Sequence, residues 1–551
     1  MQAYSTVHGA VDSFLQERGL EWPDKAVIEP SKDPKHGDLA TNIAMMLAKP
    51  LGRAPRDVAA ELADHVLKTC PDIAAADIAG PGFLNLTFKP EFWQHVVAEV
   101  EDKGSAYGNT DTGKSRKTMV EYVSANPTGP LHVGHGRGAA AGDSLTRLLR
   151  RAGYDVTTEY YINDAGRQMR LLGHSVWYRL CQMVDRPMEE PTDWYKGEYI
   201  KDIAREMLDQ DPSLAKAEDA EAENRCYEYA KQVILDGIKK DLAEFRVEHQ
   251  NWFSEKTLVD GGKVAKAFET LDKAGYLYEK DGALWFATSR LGDDKDRVLR
   301  KKDGSLTYFA SDIAYHHDKY ERGFDFLIDV WGADHHGYVP RMRAAIAAMG
   351  KEQTTFEVVL IQLVNLLVQG KPVGMSTRAG TFETLADVVK EVGVDAARFM
   401  FLSRKTDTAV DFDLEAVKQR NMDNPVYYVQ YAHARICAVL RRAGEDGMVL
   451  PKKSTPELLA PLSSAEDKAL LRKMEMFPDM IAQAAQSLGV HHVSHYLTEL
   501  AQLLHSYYGK YSILGSGDAA LTTARLALLR AVAVVLANGL DLLGVSAPER
   551  M

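Results

Sequence analysis

In "LHVGHGRGAAAGDSLTRLL", residues 131–149, two histidines stand three apart among glycines where an extended run turns into a helix. A helix amino terminus leaves backbone N–H groups unpaired at its positive end, which suits a phosphate. Gly134, Gly136 and Gly138 let a ligand come close to the backbone, and His132 and His135 can aim two imidazoles at one place. The helix end alone contributes about 0.3–1 kcal/mol. A strong preference for a transition state therefore needs the side-chain donors as well. Taken alone, the pattern is equally compatible with tight helix packing beside two surface histidines.

Two other stretches carry chemistry-bearing side chains. "WGADHHGY" (331–338) follows an apolar run, at the kind of strand end where open parallel sheets bind nucleotides. Its adjacent His335 and His336, like His316 and His317 before them, do not make a metal site. Neighbouring histidines seldom share one ion, and no other ligand spacing supports one. In "NPVYYVQYAHAR" (424–435), Tyr428 and Tyr431 lie three apart with Arg435 a turn further on. Such rings can stack exposed bases at about 1–3 kcal/mol each, and arginine can hold phosphate. A tyrosine-rich packing face between helices gives the same spacing.

The elements that must position these residues fall into three regions. Residues 1–110 read as a small α+β domain: a helix (3–18), an apolar helix in "HGDLATNIAMMLAK" (36–49) that Asp38 and Thr41 can cap, and one strand in "IAGPGFLNLTF" (78–88). The polar, glycine-rich "EDKGSAYGNTDTGKSRK" (101–117) reads as a linker. From Thr118, "TMVEYVS", the 131–149 helix and "GYDVTTEYYIND" (153–164) give strand, crossover helix, strand, the start of a doubly wound parallel sheet spanning about 115–412. A charged helical stretch, about 185–260, interrupts it, and "FDFLIDVWGADHH" and "FEVVLIQLVNLLV" supply later strands. Residues 413–551 carry helical periodicity throughout and read as an all-α bundle.

Composition bounds the function. A chain of 551 residues exceeds one core, and three or so domains follow. The net charge of −12 disfavours indiscriminate coating of nucleic acid, though not a local RNA-binding face. Four dispersed cysteines fit a reducing cytosol rather than a disulfide framework or zinc knuckle. The amino terminus does not read as a signal peptide, and no uninterrupted apolar run of spanning length stands out. The expectation is a soluble, cytoplasmic protein without a membrane segment.

"SANPTGPLHVGHGRGAAAGDSLTRLLRRAGYDVTTEYYINDAGRQ" (124–168) resembles the HIGH region of class I aminoacyl-tRNA synthetases, and specifically the arginyl-tRNA synthetases. "GVDAARFMFLSRKTDTAVDFD" (393–413), "NPVYYVQYAHAR" and the terminal "APERM" are similar to the same family. The resemblance implies a Rossmann-like catalytic domain and an anticodon-binding helical bundle. It also implies a two-step reaction, in which arginine attacks ATP to form an adenylate and the 2′-hydroxyl of the terminal adenosine of tRNA(Arg) takes the aminoacyl group. Mg²⁺ accompanies the nucleotide, and the family resemblance implies a monomer that binds tRNA before activating arginine. Such a displacement needs alignment and charge stabilisation more than acid–base chemistry.

By the same resemblance His132, Gly134 and His135 meet the ATP phosphates, while Asp334 and His335 meet ribose and base. The lysine-rich KMSKS loop corresponds to "GKPVGMSTRAG" (370–380), with Gly374 and Thr377 where two lysines stand in the family pattern. Lys371 and Arg378 can compensate, Ser376 can still hydrogen-bond, and Met375 lies at the nucleotide. Guanidinium, a planar cation, is best met by carboxylates and oriented acceptors. The family's arginine-binding positions are Glu121, Asn126, Tyr308 and Asp312, the last two on one face if that stretch is helical. A structural ion pair is the alternative for either acid. Tyr428, Tyr431 and Met551 fall around the anticodon loop, with Arg435 beside them, and Lys35 and Asp38 approach the tRNA elbow. A cysteinyl-type synthetase is disfavoured by the lack of a cysteine cluster. A catalytically dead tRNA-binding protein has only the missing loop lysines in its favour.

Overall fold

The computed structural model describes residues 2–31, 34–372 and 384–551. Met375, Ser376 and Arg378 lie outside the described residues. The first region contains α1 (Gln2–Gln16), β1 (Ile28–Pro30), β2 (Leu39–Thr41), α2 (Ile43–Leu51), α3 (Pro55–Thr69), β3 (Ile73–Ala79), β4 (Phe83–Phe88) and α4 (Pro90–Lys103). Its sheet is antiparallel in the order β1-β2-β4-β3. The stretch 78–88 is thus a hairpin rather than one strand, because the Gly80–Gly82 turn, both glycines at positive φ, folds the chain back. Asp38 does not cap α2. It is buried at 2 % exposure, accepts the Phe88 N–H at 2.7 Å and pairs with Lys468 at 2.8 Å and Arg472 at 3.3 Å. Thr41 Oγ1 instead accepts the Ile43 N–H at 3.2 Å.

The second region is built on a five-stranded parallel sheet. Its strands are β5 (Lys117–Glu121), β6 (Asp155–Ile162), β7 (Asn251–Ser254), β11 (Phe326–Gly332) and β12 (Phe356–Ile361), in the order β12-β11-β5-β6-β7. The strand order reverses at β5, and α5 (Val133–Arg151) crosses from β5 to β6. The helices α6 (Arg167–Met183), α7 (Glu198–Gln210) and α8 (Asp219–Glu244) separate β6 from β7. The helical stretch expected over 185–260 therefore ends early: Asn251–Ser254 are the edge strand of the main sheet. Next come α9 (Lys256–Asp260), α10 (Lys263–Lys273) and a small antiparallel sheet of β8 (Leu277–Lys280), β9 (Ala283–Phe286) and β10 (Arg297–Arg300). α11 (Tyr308–Glu321) precedes β11, and α12 (Val339–Ala348) precedes β12. The region closes with β13 (Val364–Val368), β14 (Lys371–Pro372), α13 (Leu385–Val392), α14 (Val394–Leu402), β15 (Val410–Asp413) and α15 (Leu414–Lys418).

The third region is helical: α16 (Pro425–Glu445), α17 (Pro456–Leu459), α18 (Ala465–Glu475), α19 (Phe477–Gln486), α20 (His491–Lys510) and α21 (Ala519–Leu542). α21 is long and apolar enough by composition to cross a membrane, although Arg525 and Arg530 interrupt its apolar run. Most of it is buried, however, and it packs on α4, α16 and α20 as the core helix of this bundle. The 101–117 segment is likewise no loose linker. Tyr107 is buried and donates its hydroxyl to the Met474 carbonyl at 2.9 Å, while the Asn538 amide holds the Gly104 and Tyr107 carbonyls at 3.0 and 3.1 Å.

One buried cation ties the regions to α5. Arg398 is wholly buried and donates to Asp143 of α5 at 2.5 Å, to the Phe245 carbonyl at 3.1 Å and to the Leu543 carbonyl, just past α21, at 2.7 Å. Gly544 is glycine here for two reasons: its φ is +60° or so, at 64°, and a Cβ would lie 2.5 Å from the guanidinium carbon. Arg398→Ala leaves the Phe245 and Leu543 carbonyls without this donor and the buried Asp143 with Arg147 as its remaining cation, so it should cost about 3–5 kcal/mol of stability. Urea unfolding checks this; a variant within about 1 kcal/mol of the parent would contradict it.

Candidate active site

The sheet gathers its polar residues at one edge. Glu121 ends β5, Asp164 follows β6 by two residues, Glu255 follows β7 directly and Asp334 follows β11 by two. All four strands are parallel, so these positions share the carboxyl edge where open α/β sheets bind ligands. The amino terminus of α5 opens at the same edge because α5 returns from β5 to the start of β6.

The two histidines are locked there by the backbone. His132 is the N-cap of α5, and its Nδ1 accepts the Gly134 and His135 N–H groups at 3.1 and 3.4 Å. His135 Nδ1 in turn accepts the His132 N–H at 3.3 Å, a reciprocal capping box. Because both Nδ1 atoms accept, both neutral rings carry their proton on Nε2. The rings stack face to face at the start of α5, with centroids 3.7 Å apart and planes 24° from parallel. Gly134 makes room for this: a Cβ there would sit 2.9 Å from the His132 ring. Burial holds the His135 ring down at about 3, aided by His132, and burial lowers His132 too. Both rings are neutral donors near pH 7.

This has a consequence for acid stability. With a folded-state value of about 3 against an ordinary 6.5, His135 resists protons that the unfolded chain takes up. Its contribution is present above pH 6.5 and is lost as pH falls towards 3, with a slope of up to about 1.4 kcal/mol per pH unit. His135→Gln should flatten the loss of melting temperature between about pH 6.5 and 5. Equal slopes in the two proteins would contradict the assignment.

A carboxylate wall stands near the β5–β6–β7 end. Tyr161 marks its centre: burial pushes its phenol well up, and Glu255, Asp312, Glu121 and Asp164 all add to the rise. Glu121 and Asp312 both act on this phenol, and Lys319, on the same helix as Asp312, pairs with Glu121. Glu121 is buried; its Oε1 accepts the Ser124 hydroxyl at 2.9 Å and its Oε2 the Lys319 ammonium at 2.6 Å. Val123 and Ser124, at φ 68° and 41°, hold left-handed backbone just after β5, which costs strain in a β-branched residue. Asp312 lies on the first turns of α11 and accepts the Tyr338 hydroxyl. Burial raises its carboxyl, and Tyr338 and His316 offset only part of that. Tyr308, one turn before Asp312, is 66 % exposed at the mouth, and Asn126 donates to Gln168 at 2.5 Å.

Glu255 was missed by sequence reasoning. It is buried, and among the described residues its Oε2 has no hydrogen-bond partner. Burial pushes its carboxyl up, with Asp312 and Asp164 adding to the rise. No motif surrounds it; only the position of β7, once known, points to it. Asp334 and His335 are exposed and lie 3.4 Å apart. Lys371 is exposed on β14. The chain re-enters description at Thr384, which bridges to His132, and the Leu385 N–H reaches the Leu131 carbonyl at 2.8 Å. Among the described residues, no group of three or more His, Cys, Asp and Glu side chains is arranged to hold a metal ion.

Comparison with known proteins follows this geometry. The family model described as "tRNA synthetases class I (R), catalytic domain" matches residues 96–437. The arginine–tRNA ligase of Desulfovibrio desulfuricans is 65 % identical over 551 residues, all of both chains. The chain belongs to the arginyl-tRNA synthetases. Flanking models agree: "Arginyl tRNA synthetase N terminal domain" matches residues 5–88 and "DALR anticodon binding domain" residues 429–551. An arginine–tRNA ligase of Nitratidesulfovibrio vulgaris is 60 % identical over the full length of both chains. A crystal structure titled as a possible arginyl-tRNA synthetase from Campylobacter jejuni is 36 % identical, covering 84 % of this chain and 100 % of that one, at a TM-score of 0.77. The Thermus thermophilus arginyl-tRNA synthetase, at 23 % identity and TM-score 0.76, shares the fold over 100 % of this chain and 99 % of that one.

In the family's helical domain Tyr428, Tyr431 and Arg435 sit half-buried on α16. His505 of α20 meets Tyr428 at 4.5 Å between ring centroids and Tyr431 at 5.9 Å, and Arg435 lies 4.3 Å over Tyr508. The terminal tail returns to the same helix, where His433 Nδ1 meets the Pro548 carbonyl at 2.9 Å, and Met551 is exposed beyond it. Lys35 is exposed on the amino-terminal domain. Asp38, by contrast, is enclosed in ion pairs with α18, which seals the two terminal domains together and leaves its carboxylate no open face for RNA.

Proposed function

We propose that this chain charges tRNA(Arg) with arginine in two steps at the β5–α5 edge, arginyl-adenylate formation and then transfer to the terminal 2′-hydroxyl. The observation that carries this reading is the meeting of two kinds of group at one sheet edge. His132 and His135 offer paired N–H donors at a helix amino terminus, which suits a triphosphate. Glu121 and Glu255 offer buried carboxylates and Asp312 a half-buried one, which suit a guanidinium. Asn126 and Tyr308 flank the arginine, and Asp334 and His335 take the adenosine. Lys371, with Ser376 and Arg378 of the loop, faces the departing pyrophosphate. Mg²⁺ arrives with ATP, held chiefly by the phosphates and water. The free cysteines Cys70, Cys181, Cys226 and Cys437 suit a reducing cytoplasm, and we take the chain as a monomer.

The α16–α20 aromatic face and Met551 contact the anticodon loop, and Lys35 approaches the tRNA elbow. Tyr431→Ala should weaken tRNA use by about 1–3 kcal/mol, seen as a raised KM for tRNA at unchanged arginine KM. An unchanged tRNA KM would move the contact elsewhere.

Exchange of labelled pyrophosphate into ATP tests the whole reading, run with each amino acid, with and without tRNA. Arginine-specific exchange that requires tRNA supports it. Exchange with another amino acid, or none with tRNA still bound, overturns it.

A further inference from the structure

Beneath the carboxylate wall lies a lysine that no part of the reaction uses directly. Lys319, on α11 two turns after Asp312, has no exposed surface. Its ammonium lies 2.6 Å from Glu121 Oε2 and 2.9 Å from Asp329 Oδ1 of β11. The other groups around Glu121 are already engaged. Glu159 of β6 takes both guanidinium arms of Arg322 at 2.6 and 2.8 Å and the Tyr315 hydroxyl at 2.6 Å. His316 Nε2 meets Asp329 Oδ2 at 2.8 Å. Tyr161 of β6 feels both Glu121 and Asp312 of α11. Among the described residues Lys319 is thus the one ammonium or guanidinium ion-paired to Glu121, and it shares that charge with Asp329.

We propose that Lys319 is a positioning residue for arginine recognition: it holds Glu121 aimed while sharing its one ammonium with Asp329, so that Glu121 takes the rest of its counter-charge from the substrate's guanidinium. The proposal rests on the reading that Glu121 meets the guanidinium. The chemistry favours a lysine because a compact ammonium can serve two carboxylates from below. A carboxylate has about four acceptor sites. Lys319 and Ser124 use two of those on Glu121, which leaves acceptor sites for a further donor. The division of charge is uneven. Burial pushes Asp329 up, but Lys319 and His316 outweigh it and hold it at about 2. Burial pushes Glu121 up as well; Lys319 offsets this only in part, and Asp329 adds to the rise. Glu121 is therefore the member whose charge depends on company, and arginine capture weakens as falling pH protonates it.

The test measures arginine and ATP KM values and the pH profile of kcat/KM for arginine in full-length variants with tRNA present. Lys319→Met should raise the arginine KM by at least about tenfold, with ATP KM within about twofold, because it strips a buried carboxylate of its partner. It should also move the acidic limb of the profile up by about one pH unit or more. Lys319→Arg should restore that limb. Asp329→Asn, which frees Lys319 for Glu121 and removes a like charge, should move the limb down, and it serves where Lys319→Met fails to fold. A folded Lys319→Met with an unchanged arginine KM and limb overturns the proposal, as does an Asp329→Asn limb that stays or rises. Glu121→Gln separates the two ideas. If it leaves the arginine KM unchanged, the guanidinium reading of Glu121 fails; if it raises that KM while Lys319→Met does not, only the role of Lys319 fails.

Discussion

Replacing His135 with alanine should lower the turnover of arginine activation by about 10²–10³, while the arginine KM stays within a few-fold. The ring donates from Nε2 because its Nδ1 is committed to the His132 N–H. Its neutral state near pH 7 follows from burial. A neutral donor held at a helix amino terminus gains most where charge grows on phosphate oxygens during pyrophosphate release, which places its effect in kcat. The substitution also removes half of the capping box, so a stability loss of about 1 kcal/mol accompanies it. His135→Asn separates the effects, since its amide oxygen can still accept the His132 N–H. It should keep the stability and still lose the turnover. Equal turnover in His135→Ala and the parent would remove the pair from the chemistry.

Asp312→Asn carries the second large effect. The carboxylate is raised by burial and is met by the Tyr338 hydroxyl. A substrate cation that ion-pairs there leaves water entirely, so removing the negative charge should reduce kcat/KM for arginine by about 10²–10³. ATP KM should change little. Discrimination should also fall: citrulline, the neutral isostere of arginine, loses less from the substitution than arginine does, because the parent site rejects it for lacking the charge. Steady-state exchange with both amino acids checks this. Parallel losses for arginine and citrulline would mean that Asp312 supports the fold rather than reads the side chain.

The parts of this molecule legible in the sequence are those that depend on near neighbours. "TMVEYVS" and "GYDVTTEYYIND" are apolar enough to require strands, and the histidine spacing with its glycines marks the start of α5. The four-residue β7 sits inside a charged helical texture, too short to interrupt the pattern, yet the sheet edge selects it. With β7 hidden, Glu255 had no signal. Asp38 reads as a surface acid because its partners, Lys468 and Arg472, lie more than 400 residues away in sequence. Lys319 sits in "AYHHDKYE", where no neighbour in the sequence marks it as buried. α11 instead packs on α10 and α12, and its Tyr315, His316 and Lys319 point at Glu159, Asp329 and Glu121 of the sheet. Glu121 shows both readings of its sequence at once: it is a structural ion pair with Lys319, and it also lies at the carboxyl edge of the sheet.

The most direct test of the central claim is a crystal structure of this enzyme with arginine and a non-hydrolysable ATP analogue. The account predicts a guanidinium between Glu121 and Asp312, and phosphate oxygens within hydrogen-bond reach of Nε2 on both His132 and His135. A guanidinium bound away from those two acids, or phosphates that touch neither ring, would contradict it.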